Sequence, residues 1–264
     1  MPEGRNELSC AIRRGEKMNR LKISVSIFAI VTLLLVACGK SGADNDGHAD
    51  KSPEPENKGT LETPAPLQPA GKEFVYNFDG DAAGKLPPKF HDALTGQGAK
   101  GQWVVRADPS APSQPNVLAQ TSTDKTDYRF PLAIADEGSF QNLEMSVKFK
   151  AVSGEVDRAA GMAFRLKDSN NYYIVRANAL ENNYRLYHVV NGRRVQFAGA
   201  NVNVAPGEWH ELRVVCVGNK ITCFYDGEKK IESTDDTFKE AGKVGLWTKA
   251  DSVTYFDDLR VSAK

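Results

Sequence analysis

The runs Asn171-Tyr172-Tyr173-Ile174-Val175-Arg176-Ala177-Asn178 and Tyr184-Arg185-Leu186-Tyr187-His188-Val189-Val190-Asn191-Gly192-Arg193 decide the fold class. Aromatic and β-branched residues crowd into two short segments without helical spacing, and an Asn-Gly pair closes the second. Such runs read as strands, and Asn-Gly tolerates the left-handed backbone of a tight hairpin turn. Working outward, similar runs recur at Phe74 to Phe78, Leu143 to Phe149, Gly161 to Leu166, Leu212 to Val217, Ile221 to Tyr225, Val244 to Trp247 and Val253 to Val261. Val217-Gly218-Asn219-Lys220 reads as a second hairpin. The pattern predicts nine strands or more and no long amphipathic helix, with at most a single helical turn over Thr237 to Ala241. Strands with no helices to cover them must cover one another, so an all-β, two-sheet antiparallel jelly-roll sandwich is expected. Gly84 to Gly101 and Asp108 to Gln114 are rich in Gly, Pro and Ser and read as long loops at one end of it.

Across 264 residues, 34 Lys+Arg balance 34 Asp+Glu, so no global charge draws the chain to nucleic acid. No stretch approaches the ~18 apolar residues of a membrane span, which argues against a polytopic membrane protein. Four cysteines without CxxC or a Cys/His cluster do not make a zinc site.

From Met18 the chain reads Met-Asn-Arg-Leu-Lys, then an apolar run from Ile23 to Ala37, then Cys38-Gly39. A basic start, a short apolar run and a small residue before the cut describe a secretory signal. Leu35-Val36-Ala37-Cys38 resembles a bacterial lipobox, which implies acylation of Cys38 and cleavage before it. Residues 1–37 are therefore expected to be an extended start plus signal peptide. Residues 38–72, with Pro at 53, 55, 64, 66 and 69 and no Phe, Trp, Tyr, Ile, Val or Met from Gly39 to Lys72, read as a disordered tether. Residues 73–264 form the folded domain. The expected location is the bacterial cell envelope, with a lipid as the only membrane contact. Gly39 lacks the Asp that retains some lipoproteins at the inner membrane, so the outer membrane or cell surface is favoured.

Four segments carry a resemblance: Asn171 to Glu181; Gly207-Glu208-Trp209-His210-Glu211-Leu212-Arg213-Val214; Gly242 to Ser252; and Phe256-Asp257-Asp258-Leu259. Over residues 73 to 263 the chain resembles the concanavalin A-like lectin/glucanase superfamily, in particular secreted bacterial domains of the 3-keto-disaccharide hydrolase type, related to glycoside hydrolase 16. The resemblance implies a curved jelly roll whose concave face holds sugar, in members that include both enzymes and non-catalytic binders. Laminarinase-type members carry E-x-D-x-x-E on a strand, with alternate carboxylates in the cleft. The nearest string here is Glu155-Val156-Asp157-Arg158-Ala159-Ala160, with Ala160 in place of the acid/base, so that mechanism is not supported. Catalytic residues are not legible in any standard motif.

Strand parity provides a candidate ligand site. With Met162, Phe164 and Leu166 inward, Arg165 points outward; Tyr172, Arg176 and Asn178, then Arg185 and Tyr187, and finally Trp247 and Lys249 follow by the same rule. Aromatic plates can stack on sugar C–H faces while Arg and Asn donate to hydroxyls or a carboxylate. The competing reading is a solvated charge ladder on a convex face. Asp79 and Asp81 near the first strand, with Asp257 and Asp258 near the last, suit a structural Ca²⁺ if the terminal strands lie together; ordinary turn aspartates are the alternative. Cys216 opposes Ile221 and Cys223 opposes Val214 across the Gly218-Asn219 turn, so the two thiols share a face on a diagonal; a disulfide and two buried thiols both stand. Trp209 is expected to anchor its strand, and neither His188 nor His210 has a visible partner. Three functions follow: a carbohydrate-binding envelope lipoprotein, favouring an oxidised or acidic di- or oligosaccharide; a glycoside hydrolase or lyase; or a structural protein that grips another protein.

Overall fold

The computed structural model describes residues 71–264. The signal peptide, Cys38 and nearly all of the tether lie outside the described residues. Fifteen strands and no helix make up the described part. In chain order they are β1 (Glu73–Tyr76), β2 (Phe90–Gly96), β3 (Trp103–Ala107), β4 (Asn116–Gln120), β5 (Arg129–Ala135), β6 (Leu143–Ser153), β7 (Ala159–Asp168), β8 (Asn171–Asn178), β9 (Asn183–Val190), β10 (Arg193–Asn201), β11 (Trp209–Val217), β12 (Lys220–Tyr225), β13 (Glu228–Thr234), β14 (Lys243–Trp247) and β15 (Val253–Ala263). They form two antiparallel sheets, which confirms the two-sheet sandwich. One, the back sheet, runs β13-β12-β11-β6-β15-β4-β3 with β1 added on β15; the other, the front sheet, runs β10-β9-β8-β7-β14-β5-β2.

The core between the sheets is built by alternation. Along β6, Leu143, Met145, Val147, Phe149 and Ala151 are buried, while Glu144, Ser146, Lys148 and Lys150 between them are half-exposed. Facing them from the front sheet are Met162, Phe164, Tyr173, Val175, Tyr184, Leu186 and Leu246. Burial of this kind is the main favourable term: losing one such ring costs about 3–5 kcal/mol.

Both hairpins form as the sequence implies. Asn191 (φ 49°) and Gly192 (φ 77°) turn β9 into β10 with both central residues left-handed, as the matching turn requires. Cys216 pairs with Ile221 and Cys223 with Val214. That diagonal keeps the thiols apart, and both cysteines are free and buried, so the disulfide alternative is not realised. Burial raises the pKa of both thiols.

Two expectations about loops are corrected. Gly84 to Gly101 is not one long loop, because Phe90–Gly96 is edge strand β2, paired along its length with β5. No helical turn forms over Thr237 to Ala241. There the Asp235 carboxylate accepts from the Thr237 N–H (2.8 Å) and the Tyr173 hydroxyl (2.6 Å), tying the segment down as an irregular strap. Parity also fails once. The β7–β8 register shifts between Phe164 and Asp168, and Arg165 takes φ 44°. This β-bulge puts Leu166 on the outer face of the front sheet rather than in the inter-sheet core.

Candidate functional site

Outward side chains of the front sheet form a second apolar cluster: Phe130, Leu132, Ile134, Ala163, Leu166, Tyr172, Ile174, Tyr187, Val189 and Trp247. A sheet face open to water would not bury these groups. Contacts between strands far apart in the sheet show how it is covered. Tyr128, next to β5, donates through its hydroxyl to Gly192 O (2.9 Å) in the β9–β10 turn and accepts from the Arg194 N–H (3.1 Å). Thr95 on β2 meets the Tyr172 hydroxyl on β8 (2.8 Å) and donates to Ser169 O. Arg194 on β10 lies over the rings of Phe130 (4.7 Å to the centroid) and Trp247 (5.5 Å). β5 and β10 stand at nearly opposite edges of the seven-stranded order, so the front sheet coils until two of its corners touch. Its outer face is therefore concave and is plugged with aromatics at one end.

The floor is kept low by glycine at one point. A Cβ on Gly161 of β7 would come 2.7 Å from Ile174 Cδ1 and 3.0 Å from Val175 O, closer than packed atoms approach.

At the other end of the concave face polar groups converge. Arg176 donates to Asn183 Oδ1, to Glu181 Oε2 and to the Tyr187 hydroxyl, each at 3.0 Å. Asn178 Nδ2 donates to Asp157 (2.9 Å), and Lys249 Nζ lies 2.9 Å from the same carboxylate. Asp157 is held by its loop: Asp251, between β14 and β15, accepts from the backbone N–H of Glu155 (2.8 Å), Val156 (3.0 Å) and Asp157 (3.0 Å). Burial pushes the Asp157 carboxyl up, against the opposing pull of Lys249 and Arg176. Asp251 ends below the usual range, because the three N–H bonds outweigh its burial. Burial also lowers the Arg194 pKa, and the Arg176 charge lowers it further.

Of the eight residues that parity turns outward, Arg185 is spent on β10, donating to Ala200 O (2.5 Å) and Asn201 Oδ1 (2.8 Å), and the other seven fall into three groups. Arg176, Asn178, Tyr187 and Lys249 gather at the polar end. Tyr172 and Trp247 are on the same face but inside the plug: both are fully buried, with Trp247 stacked on Phe130 at 5.3 Å and its Nε1 3.3 Å from the Tyr172 hydroxyl. Burial pushes the Tyr172 hydroxyl up to about 12. They shape the face and do not offer a plate to a ligand. Arg165 is elsewhere, because the bulge turns its guanidinium onto the carbonyls of Gln141 (2.7 Å), Phe238 (2.8 Å) and Gly218 (2.5 Å). There it borders an open cavity of about 450 Å³, together with Lys167, Thr237 and Phe238.

Sequence reasoning missed Asp157, Glu181, Asn183 and Arg194. Arg194 was within reach: a two-residue Asn191-Gly192 turn pairs Val189 with Arg194 and puts both on one face. Asp157 stands in the sequence only within the incomplete Glu155 to Ala160 string, which lies largely in the β6–β7 loop and names no partner for it.

The remaining candidates are structural. β1 does pair with β15, so the chain ends lie together. Yet the Asp257 carboxylate is taken by the Ser113 N–H and hydroxyl (2.9 Å each) and the Asp258 N–H (2.8 Å), and Asp79 accepts from the Asn116 N–H (3.1 Å). Among the described residues no group of three or more His, Cys, Asp or Glu, these aspartates and Asp81 included, is disposed to hold a metal. His188 has Asp235 (3.3 Å) and His210 has Asp226 (2.8 Å) as partners. His188 stacks on Phe197 and His210 on Tyr225. Trp209 anchors the start of β11 by donating to the Ser110 hydroxyl (3.1 Å).

No curated protein is similar to this chain. Among solved structures, the carbohydrate binding module CBM66 from Bacillus subtilis is 16% identical and superposes with a TM-score of 0.52 over 65% of this chain and 94% of the module. The Bacillus licheniformis beta-glucanase is 12% identical, with a TM-score of 0.50 over 74% of this chain and 99% of that one. At such identities the likeness is one of fold. Residues 95–262, which include all of the front sheet except most of β2, match a family in sequence. The chain belongs to the 3-keto-alpha-glucoside-1,2-lyase-like domain family, on a concanavalin A-like sandwich.

Proposed function

We propose that this domain engages carbohydrate at the polar end of the concave face, on a protein held at the bacterial envelope by lipid on Cys38. The observation that carries the reading is the convergence of Arg176, Asn178, Asn183, Glu181, Asp157 and Lys249 around Tyr187 on a concave sheet. Donors and acceptors alternate there within hydrogen-bonding range of one another. A sugar presents the same alternation along its hydroxyls and can exchange with these internal bonds. The family and the fold it shares with a carbohydrate binding module and a glucanase support the reading.

A second reading, glycoside cleavage by elimination or hydrolysis, draws on Asp157. A buried carboxyl with a raised pKa beside a lysine is suited to taking or giving a proton.

The test is calorimetric unfolding of the full chain in detergent across neutral, uronic and 3-keto disaccharides, with product analysis of each hit. A raised midpoint with sugar recovered intact, weakened in Lys249→Met, supports binding; products lost in Asp157→Asn support cleavage. Unchanged midpoints and no products across the whole panel would sink both readings.

A further inference from the structure

We infer that the carbohydrate taken by this face is an acidic one, its carboxylate held between Arg176 and Arg194; the inference rests on the reading of the concave face just proposed. Both guanidinium groups lie against one side chain, Arg176 at the Tyr187 hydroxyl (3.0 Å, Cζ 5.7 Å from the ring centroid) and Arg194 over the ring (Cζ 4.6 Å). Like charges so placed repel, and burial strengthens the repulsion because little water screens it. Arg176 is balanced by Glu181. Among the described residues Arg194 has no carboxylate partner, and its neighbours are the ring faces of Phe130, Tyr187 and Trp247. Rings meet the flat face of a guanidinium and leave its N–H edge unused. Arg194 Nη1 and Arg176 Nε are both buried and donate to nothing. Buried donors left unmet are costly, so a native protein that keeps them calls for an explanation.

A carboxylate answers both deficits. Its two oxygens match the guanidinium fork, and its charge relieves the repulsion across Tyr187. A neutral sugar hydroxyl would meet the donors and leave the charge. Asp157 does not compete for the role, since Lys249 and Asn178 already hold it. Uronic sugars carry such a carboxylate on the ring.

The experiment titrates the full chain by calorimetry with glucuronate- and galacturonate-containing disaccharides, the methyl ester of each, and the neutral parent sugars. Esterification keeps ring and linkage and removes the charge. The acid is expected to bind at least about tenfold more tightly than its ester, the usual scale of a charged hydrogen bond, with the gap closing as salt is added. Arg194→Gln is expected to abolish the preference, the acid then binding no more tightly than its ester. Arg194→Lys, which keeps the charge and most of the stem, guards against a folding defect and is expected to reduce the preference. Esters that bind as tightly as acids would overturn the inference and leave the carbohydrate reading standing. A preference that survives in both variants would overturn the role of Arg194. Binding by no saccharide of any kind would overturn the reading and the inference together.

Discussion

Along β6 the outward positions Glu144 and Lys148 reach solvent and pair with Arg213 and Glu211, while Lys150, paired with Asp108, is largely covered by the Trp209 and Tyr255 rings. Along β5, β7 and β8 the outward positions Leu132, Ala163 and Ile174 are as deeply buried as their inward neighbours. The two sheets are hydrogen-bonded alike and share one core, so the difference lies in curvature. The back sheet leaves its outer face to water, and charged side chains follow. The front sheet coils until Tyr128 and Thr95 meet the far corner, and its outer face becomes a second interior. A concave face in this fold is thus part core and part site, and a residue on it cannot be assigned to either from parity alone.

The sharpest way to break the comparison is truncation on each outer face. Trp247→Ala on the front sheet is expected to lose about 3–5 kcal/mol of stability in urea unfolding, the range for a fully buried ring. A loss below 1 kcal/mol would mean that the plug is not an interior. Next in size is Asp251→Asn, which weakens the bonds to three backbone N–H groups and should cost about 1–3 kcal/mol at neutral pH. Its sign with pH is fixed. Because the folded-state pKa is lowered, the stabilisation is present above the unfolded carboxylate value of about 3.9 and is lost as pH falls through the folded value. Wild type and variant should therefore converge in acid-unfolding curves, and a gap that widens on acidification would contradict the capping role. Asp157 carries the opposite sign: its raised pKa favours the fold at low pH and costs stability as pH rises through it. Asp157→Asn is then expected to gain relative to wild type as pH rises, an outcome read from the same curves.

Smaller effects sharpen the account of closure. Tyr128→Phe removes one hydroxyl that both donates and accepts between the two corners, and a loss of about 0.5–1.5 kcal/mol is expected, with faster amide exchange at Arg194. Smallest of all should be Lys148→Ala on the back sheet, where breaking the partly exposed pair with Glu211 is expected to cost at most about 1 kcal/mol. A larger penalty there would erase the distinction between the two faces.

The strand signals legible in the sequence are those with alternation, as in β6, or with crowded aromatic and β-branched residues, as in β8 and β9. The strands that escaped notice show why others were not. β5 reads Arg-Phe-Pro-Leu-Ala-Ile-Ala, apolar on both sides because both sides are buried, so it carries no period of two. β2 is an edge strand, Phe-His-Asp-Ala-Leu-Thr-Gly, set among loop-forming residues. Arg176, Asn178, Tyr187 and Lys249 are reachable by strand parity, counting from the inward core residues of their segments. Arg165 was misplaced because a bulge between Phe164 and Asp168 reset the count, and no local residue announces it.

What the chain determines on its own is whatever depends on neighbours along it. The strand class, the left-handed Asn191-Gly192 turn, the pairing of Cys216 with Ile221 and the family resemblance all follow from short-range pattern. Tertiary structure alone decided that Trp247 is core, that Arg194 has no carboxylate partner among the described residues, and that Asp251 holds the loop carrying Asp157. The reason is physical. Alternation says that a side chain leaves the sheet on one side or the other, but what it meets there depends on how the whole sheet twists, and twist accumulates over seven strands rather than residing in any one.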